Sequence, residues 1–353
     1  MRKNLFIVFI ISIIIPISTF ARVKNVIFLI GDGMGLNQVH ASSIVADSAL
    51  NMQRAHYIGL VDTHSADHYI TDSAAGGTAL ACGVKTKNGM IGMNPDSVAI
   101  PSILRIAHTN KLSTGVVVTS SVTHATPASF LAHQVNRKME EEIAVDILHS
   151  GVDVFIGGGR KFFSERDDKQ NLIDSLHAKG YGVYSSIKEA SISDSNKKGV
   201  LLADVGMPSK LEGRGNMLSE GTQLALDVLS KNKKGFFLLI EGSQIDWAGH
   251  ANDIDGIIEE TLDFDKAVGV AMDFADKNKE TLVIVTADHE TGGLQILGKD
   301  TDTKKLQTIF TSSYHSPVPV PLFAYGKDAD KFSSYMENTT IKKILVELYR
   351  FKK

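Results

Sequence analysis

Beyond residue 21 the chain alternates short apolar runs with longer stretches of helical periodicity. The runs are NVIFLI (25–30), GVVVTS (115–120), VDVFIGG (152–158), GVLLA (199–203), FFLLIEG (236–242), LVIVTAD (282–288) and VPLFAYG (320–326). Runs with almost no polar alternation fit strands of a parallel sheet covered on both faces. Between them, residues 252–277 place Ile254, Ile257, Ile258, Leu262 and Val268 on one side of a helix, with Asn252 as its cap. Further helices are expected near 101–110, 139–150, 170–179 and 219–231. This alternation predicts an α/β three-layer sandwich in a single domain over 22–353, with a central, mostly parallel sheet flanked by helices. The stretches 185–198 and 298–306 are polar and read as solvated surface loops.

The first 21 residues follow a different pattern. A basic start (Arg2, Lys3) precedes an apolar run containing Pro16, and Ala21 offers a small residue for cleavage. That layout predicts a secretory signal peptide over 1–21 and an exported product, periplasmic or secreted, without a stable membrane anchor. Apolar residues make up 43% and charged residues 22%, as in an ordinary globular enzyme, and the formal charge is -3. With no Lys/Arg block after residue 3, a nucleic-acid-specific partner is excluded. The one cysteine, Cys82 in TALACGV, rules out an internal disulfide and reads as a small buried hydrophobe.

The chemistry-bearing residues collect where strands end. Asp32 follows the first run, His124 and Thr126 the second, Glu241 closes the fifth, and Asp288 and His289 close the sixth. Sites in open α/β sheets form outside the carboxyl ends of strands. EGSQIDWAGH spaces Asp246 and His250 four apart, on one helical face if a helix begins there. An Asp/His pair supplies two zinc ligands, and His315 in SSYHSPVPV is the best further imidazole. Asp288 and His289 can meet one ion where the following Thr-Gly-Gly lets the chain turn. Asp32, flanked by glycines in LIGDGMG, allows the backbone close to an ion or a phosphate. GDGMG lacks the full dinucleotide fingerprint. His64 and His68 share the four-residue spacing but lack an adjacent apolar strand, and they read as surface residues.

Ser73, in TDSAAGGTALACGVKTKNG, follows Asp72 and precedes small residues. The stretch reads equally as a helix cap and as an exposed nucleophile at a helix start, where backbone N–H groups face an anion. A serine needs activation, and no G-x-S-x-G elbow is present. Metal coordination would supply it, since a bound oxygen loses its proton far more readily. The serine makes chemical sense beside the acid and imidazole groups.

LIGDGMG, TDSAAGGTA, SSVTHATPASFLAHQVNR, EGSQIDWAGHAN, TADHETGG and YHSPVPV occur in an order that resembles bacterial alkaline phosphatases, over Asn25 to about Gly326. The likeness is greatest to their compact, cold-environment type, because insertions and disulfide cysteines are missing. The resemblance implies hydrolysis of phosphate monoesters of broad specificity through a phosphoserine on Ser73, with two Zn²⁺ and one Mg²⁺. It implies Asp246, His250 and His315 for the first zinc, and Asp32, Asp288 and His289 for the second. Asp32, Thr126 and Glu241 fall to the magnesium, with His124 either ligating it directly or standing behind it. It also implies that Arg137 binds phosphate, oriented by Asp72, and that the protein is a homodimer. His124 and Trp247 stand where some members carry aspartate and lysine, and Trp247 removes a charge near the phosphate.

Two enzyme rivals belong to the same superfamily. A sulfatase requires a Pro and an Arg after its nucleophile, which Ser73-Ala74-Ala75-Gly76 lacks. A diesterase usually lacks the third-metal residues. A secreted phosphate- or metal-binding module would have no use for Ser73.

Overall fold

A computed structural model describes residues 22–300, 302–303 and 305–351; the signal-peptide expectation for 1–21 lies outside them. In chain order the first strands are β1 (Asn25–Gly31), β2 (Tyr57–Asp62), β3 (Ser113–Ser121), β4 (Val154–Gly158), β5 (Gly182–Tyr184), β6 (Lys198–Leu201) and β7 (Phe236–Gly242). There follow β8 (Thr281–Thr286), β9 (Glu290–Thr291), β10 (Leu294–Lys299), β11 (Leu306–Phe310), β12 (His315–Ser316), β13 (Val320–Gly326) and β14 (Tyr335–Glu337). Ten form one sheet in the order β14-β2-β13-β8-β1-β7-β3-β4-β6-β5. Its pairings are parallel except where β13 runs antiparallel to β2 and β8. Two small ribbons, β10–β11 and β9–β12, stand apart from it.

The central strands are buried because helices cover both faces. Every residue of β1, β7 and β8 is buried, which is why their sequences show no alternation. The helix Ser73–Cys82 is buried at all ten positions, and its small side chains let it lie against the helices Ala125–Leu131 and Asn338–Leu348. Phe130 on the helix Ala125–Leu131 stacks on Phe237 of β7 at 6.1 Å and meets Phe28 of β1 edge-on at 6.1 Å. Burying a phenylalanine is worth roughly 1.5–3 kcal/mol, so this trio fixes the helix that carries Thr126 to the two strands beside the site.

Several expectations need correction. The long helix is Ile254–Lys277 with Asp253 at its cap; Asn252 sits in the left-handed region (φ 53°), at the turn out of the preceding helix. The stretch 185–198 contains the helix Ile187–Ser191 and ends on Lys198, buried where its ammonium donates to the Ala190 and Ser193 carbonyls. Within the stretch 298–306, Gly298 and Lys299 close β10 and Leu306 opens β11, and the two strands pair antiparallel with Lys299 opposite Leu306. The runs at 199–203 and 282–288 leave the sheet earlier, at Leu201 and Thr286. Among the described residues no helix is long and apolar enough to cross a membrane.

Candidate metal centre and nucleophile

The strand-end residues converge. The neighbours β8, β1, β7 and β3 end together, and Asp32, Glu241, Asp288 and His289 lie there, all buried. Asp246 and His250 follow β7 on the helix Gln244–His250, one turn apart with His250 Nε2 3.4 Å from Asp246 Oδ1. His315 comes from β12, which pairs with β9 and so sets His315 opposite Thr291. Glycine makes the crowding possible. At Gly33 (φ 72°) an added Cβ would lie 2.8 Å from the Asp246 Cα, and at Gly76 it would lie 3.0 Å from the Asp288 carbonyl oxygen.

Hydrogen bonds fix the imidazole tautomers. His315 Nδ1 is 2.7 Å from the Thr71 carbonyl, and His250 Nδ1 is 2.8 Å from the Ser313 carbonyl. Each Nδ1–H therefore donates outward, which turns the Nε2 lone pairs inward, where they stand 3.1 Å apart. Thr291 donates its hydroxyl proton to Asp246 (2.5 Å), leaving its oxygen to accept from His289 Nδ1 at 3.2 Å. The His289 Nε2 lone pair then faces Ser73 Oγ (3.3 Å), Asp288 (3.4 Å) and Asp32 (3.5 Å).

Several of these polar atoms are left unsatisfied: Asp32 Oδ1, Glu241 Oε1, Asp288 Oδ2 and His124 Nδ1 are buried and find no hydrogen-bond partner among the described residues. Burial, with the charges of Asp288, Asp246 and Glu241, holds the Asp32 carboxyl well above the usual range. Burial, then Asp288, pushes Glu241 up to about 8, and burial raises Asp288. Burial, with His315 adding to it, drives His289 well below an ordinary imidazole. Clustered acids and neutral imidazoles of this kind fit divalent cations. Donor atoms of Asp32, Asp288 and His289 lie within 4.8 Å of one another, as do those of Asp32, His124 and Glu241, and those of Asp246, His289 and His315. Asp32 thus joins two groups, and the Thr126 hydroxyl approaches its Oδ2 at 3.5 Å.

Ser73 is the first residue of its helix, almost fully buried, with Asp72 as the cap accepting from Ala75 N (3.0 Å). The cap and nucleophile readings, which compete in the sequence, fall to adjacent residues. Arg137 donates to Asp72 at 3.2 Å and to His124 Nε2 at 3.3 Å. Burial, with Arg137 adding to it, takes the His124 imidazole down to about 3. Trp247 meets His124 edge-on at 6.0 Å. Sequence reasoning missed Thr291, although it stands two residues after His289 and so on the same side of an extended chain. His68 is exposed, as expected. His64 is half-buried and groups with Asp62 and Glu337, but the Lys85 ammonium lies 2.9 Å from Glu337 and supplies the cation.

A mostly parallel sheet with acid and imidazole donors at its central strand ends defines an α/β metalloenzyme. Residues 23–305 match the alkaline phosphatase family, and the chain belongs to that family. It is 40% identical over 294 residues to alkaline phosphatase 4 of Bacillus subtilis, covering 78% of this chain and 63% of that relative. The chain therefore spans just under two thirds of that relative's length. The Escherichia coli alkaline phosphatase is 35% identical over 341 residues, with 79% and 72% covered. Among solved structures, the alkaline phosphatase of the Antarctic bacterium TAB5 superposes with a TM-score of 0.90 at 42% identity, covering 94% of this chain and all of that one. A histidine-to-aspartate variant of that enzyme holds magnesium in its M3 site.

Proposed function

We propose that this chain is an exported phosphate-monoester hydrolase that works through a phosphoserine on Ser73. The observation that carries the reading is the Ser73 hydroxyl 3.3 Å from His289 Nε2, beside buried carboxylate oxygens that find no partner among the described residues. Asp246, His250 and His315 would hold one zinc; Asp32, Asp288 and His289 would hold a second. Asp32, Thr126 and Glu241 would hold a magnesium, with the His124 imidazole, whose Nε2 accepts from Arg137, standing behind them. Bound there, the cations neutralise the carboxylates and make a nearby oxygen easier to deprotonate.

Ser73 Oγ attacks phosphorus in line with the ester oxygen. The Ser73 O–H proton passes to solvent water as the Oγ–P bond forms, the P–O ester bond breaks, and the departing alkoxide takes a proton back from water. Water then attacks the phosphoserine, returning the Ser73 hydroxyl and releasing inorganic phosphate. The Arg137 guanidinium takes two nonbridging oxygens in its fork while Asp72 keeps it aimed. Backbone N–H groups in the first turn after Asp72 face the same oxygens.

Ser73→Ala should lower turnover of an aryl phosphate by on the order of 10³-fold or more without unfolding the protein. Mass spectrometry of acid-quenched wild type should find phosphate on Ser73. A variant that keeps its rate, or a diester hydrolysed faster than a monoester, would sink the proposal. We further propose that the chain is cleaved near Ala21, that residues 22–353 form one catalytic domain, and that it works as a homodimer. N-terminal sequencing and light scattering of the exported protein test these points.

A further inference from the structure

The loop between β6 and the helix Met217–Leu229 forms one wall beside Trp247 and is tied down by buried charges. Arg214, whose side chain is wholly buried, donates to both Glu260 oxygens and to Asp263 Oδ2 (3.0 Å). Lys210 donates its ammonium to Asp263 Oδ1 (2.9 Å) and its backbone N–H to Glu260 Oε1 (2.7 Å). Glu260 and Asp263 lie three apart on the helix Ile254–Lys277, so one helical face receives both cations of the loop. Two cations meet two carboxylates, and removing any one leaves a buried charge unbalanced.

The clamp reaches the site through Pro208 and Gly206. The Pro208 carbonyl accepts from Arg214 (3.1 Å) and from the Gln244 amide on the helix of Asp246 and His250 (3.4 Å). Gln244 also donates to the Met207 carbonyl at 2.8 Å. Two residues before Pro208, Gly206 supports the indole of Trp247: an added Cβ would lie 2.7 Å from its Cη2 and 3.2 Å from its Cζ3. The same indole meets His124 edge-on, and His124 in turn contacts Arg137. A contiguous path therefore runs from Arg214 to the guanidinium that faces phosphate.

We propose that Arg214 is a positioning residue: its clamp on Glu260 and Asp263 sets the loop that holds Trp247 over His124 and Arg137. The phosphate-binding consequence rests on the proposed function; the placement of Trp247 does not. Trp247 is the only tryptophan of the chain, so intrinsic emission reports this one position.

The experiment uses the metal-loaded full protein and its Arg214→Met, Arg214→Lys, Lys210→Met and Gly206→Ala variants. Acrylamide quenching of Trp247 is read beside kcat and KM for 4-nitrophenyl phosphate and inhibition by inorganic phosphate. Arg214→Met and Gly206→Ala should both change emission and quenching. They should raise KM and the phosphate inhibition constant together by roughly tenfold, with kcat moving less than about threefold. Arg214→Lys should recover part of the effect. If Arg214→Met does not fold, Lys210→Met decides the point. A folded clamp variant that melts earlier but leaves Trp247 quenching unchanged shows a merely structural ion pair and overturns the proposal. Altered emission with unchanged KM and phosphate inhibition overturns the link to phosphate. An unsubstituted protein without monoesterase activity would count against the function and leave the emission test standing.

Discussion

Asp72 and Arg137 form an ion pair at 3.2 Å through the carboxylate that also caps the Ser73 helix. Oδ1 accepts from Ala75 N, and Oδ2 accepts from Gly89 N and Arg137. The placement of Ser73, the proposed nucleophile, and the aim of Arg137, proposed to bind phosphate, thus share one side chain. Asp72→Ala should lose the cap, costing about 1 kcal/mol, and release Arg137, raising KM. Asp72→Asn keeps a capping oxygen, so it should raise KM with a smaller loss of stability. Denaturant melts beside steady-state kinetics separate the two effects. Equal stability loss in both variants would contradict the division of labour.

Removing the cations should make stability fall as pH rises from about 6.5 to 8. Glu241, lifted by burial and then by Asp288 to about 8, keeps its proton in the folded chain after the unfolded chain has released it near 4.5. The folded state binds more protons over that window, so the slope of stability against pH is negative. Burial raises Asp32 and Asp288 in the same direction. Below about 6.5 the unfolded imidazoles take protons that folded His124 and His289 refuse, which works the other way and flattens the curve. Glu241 alone should contribute on the order of 2 kcal/mol across the upper window. Restoring zinc and magnesium should abolish the slope, because bound cations favour the charged carboxylates. Melts of chelated protein at pH 6.5 and 8 test this; equal stability at the two values would refute it.

The central frame and the candidate donors were legible because burial on both faces leaves a continuous apolar signature, and because several acids and imidazoles at the ends of strands in one sheet point to a site where a single one would not. The edge of the sheet was not. β2 reads YIGLVD, with Tyr57, Ile58 and Leu60 exposed, so its pattern does not separate it from a loop. β5 and β14 are three residues each, too short for periodicity to register. Asn252 resembles a cap in composition, yet the chain uses it at positive φ and starts the helix a residue later. Arg214 met its acids only through a fold that brings positions 46 and 49 residues apart together. No local pattern encodes that.

Cys82 should be inert in the native protein. Its thiol is buried, donates to the Ile100 carbonyl at 3.3 Å, and is pushed up to about 12 by burial. The thiolate that reacts is therefore almost absent at pH 8. A chromogenic disulfide reagent should titrate no thiol in the native protein and one in denaturant. Rapid native labelling would mean that the helix Ser73–Cys82 opens far more readily than its burial implies.

Replacing Glu290 should be felt at the proposed metal donors although its carboxylate bonds to none of them. It is buried beside His289, and its carboxylate accepts from Gln38 (2.7 Å), Gly293 N (3.2 Å), Leu294 N (3.3 Å) and the Ser316 hydroxyl. It thereby joins the first helix, Leu36–Val45, to the turn after β9 and to the residue following His315. Glu290→Ala leaves those donors unpaired in a dry environment, at roughly 1–3 kcal/mol for each one that water does not reach. Glu290→Gln preserves the shape and one acceptor oxygen, so it should fold. With the pairing of β9 and β12 loosened, His289 and His315 lose their fixed relation, and zinc affinity should drop by roughly 10- to 100-fold. Chelator competition on Glu290→Gln measures this apart from stability. Wild-type zinc affinity in that variant would show that the imidazoles are held by their own hydrogen bonds to Thr71 and Thr291 alone.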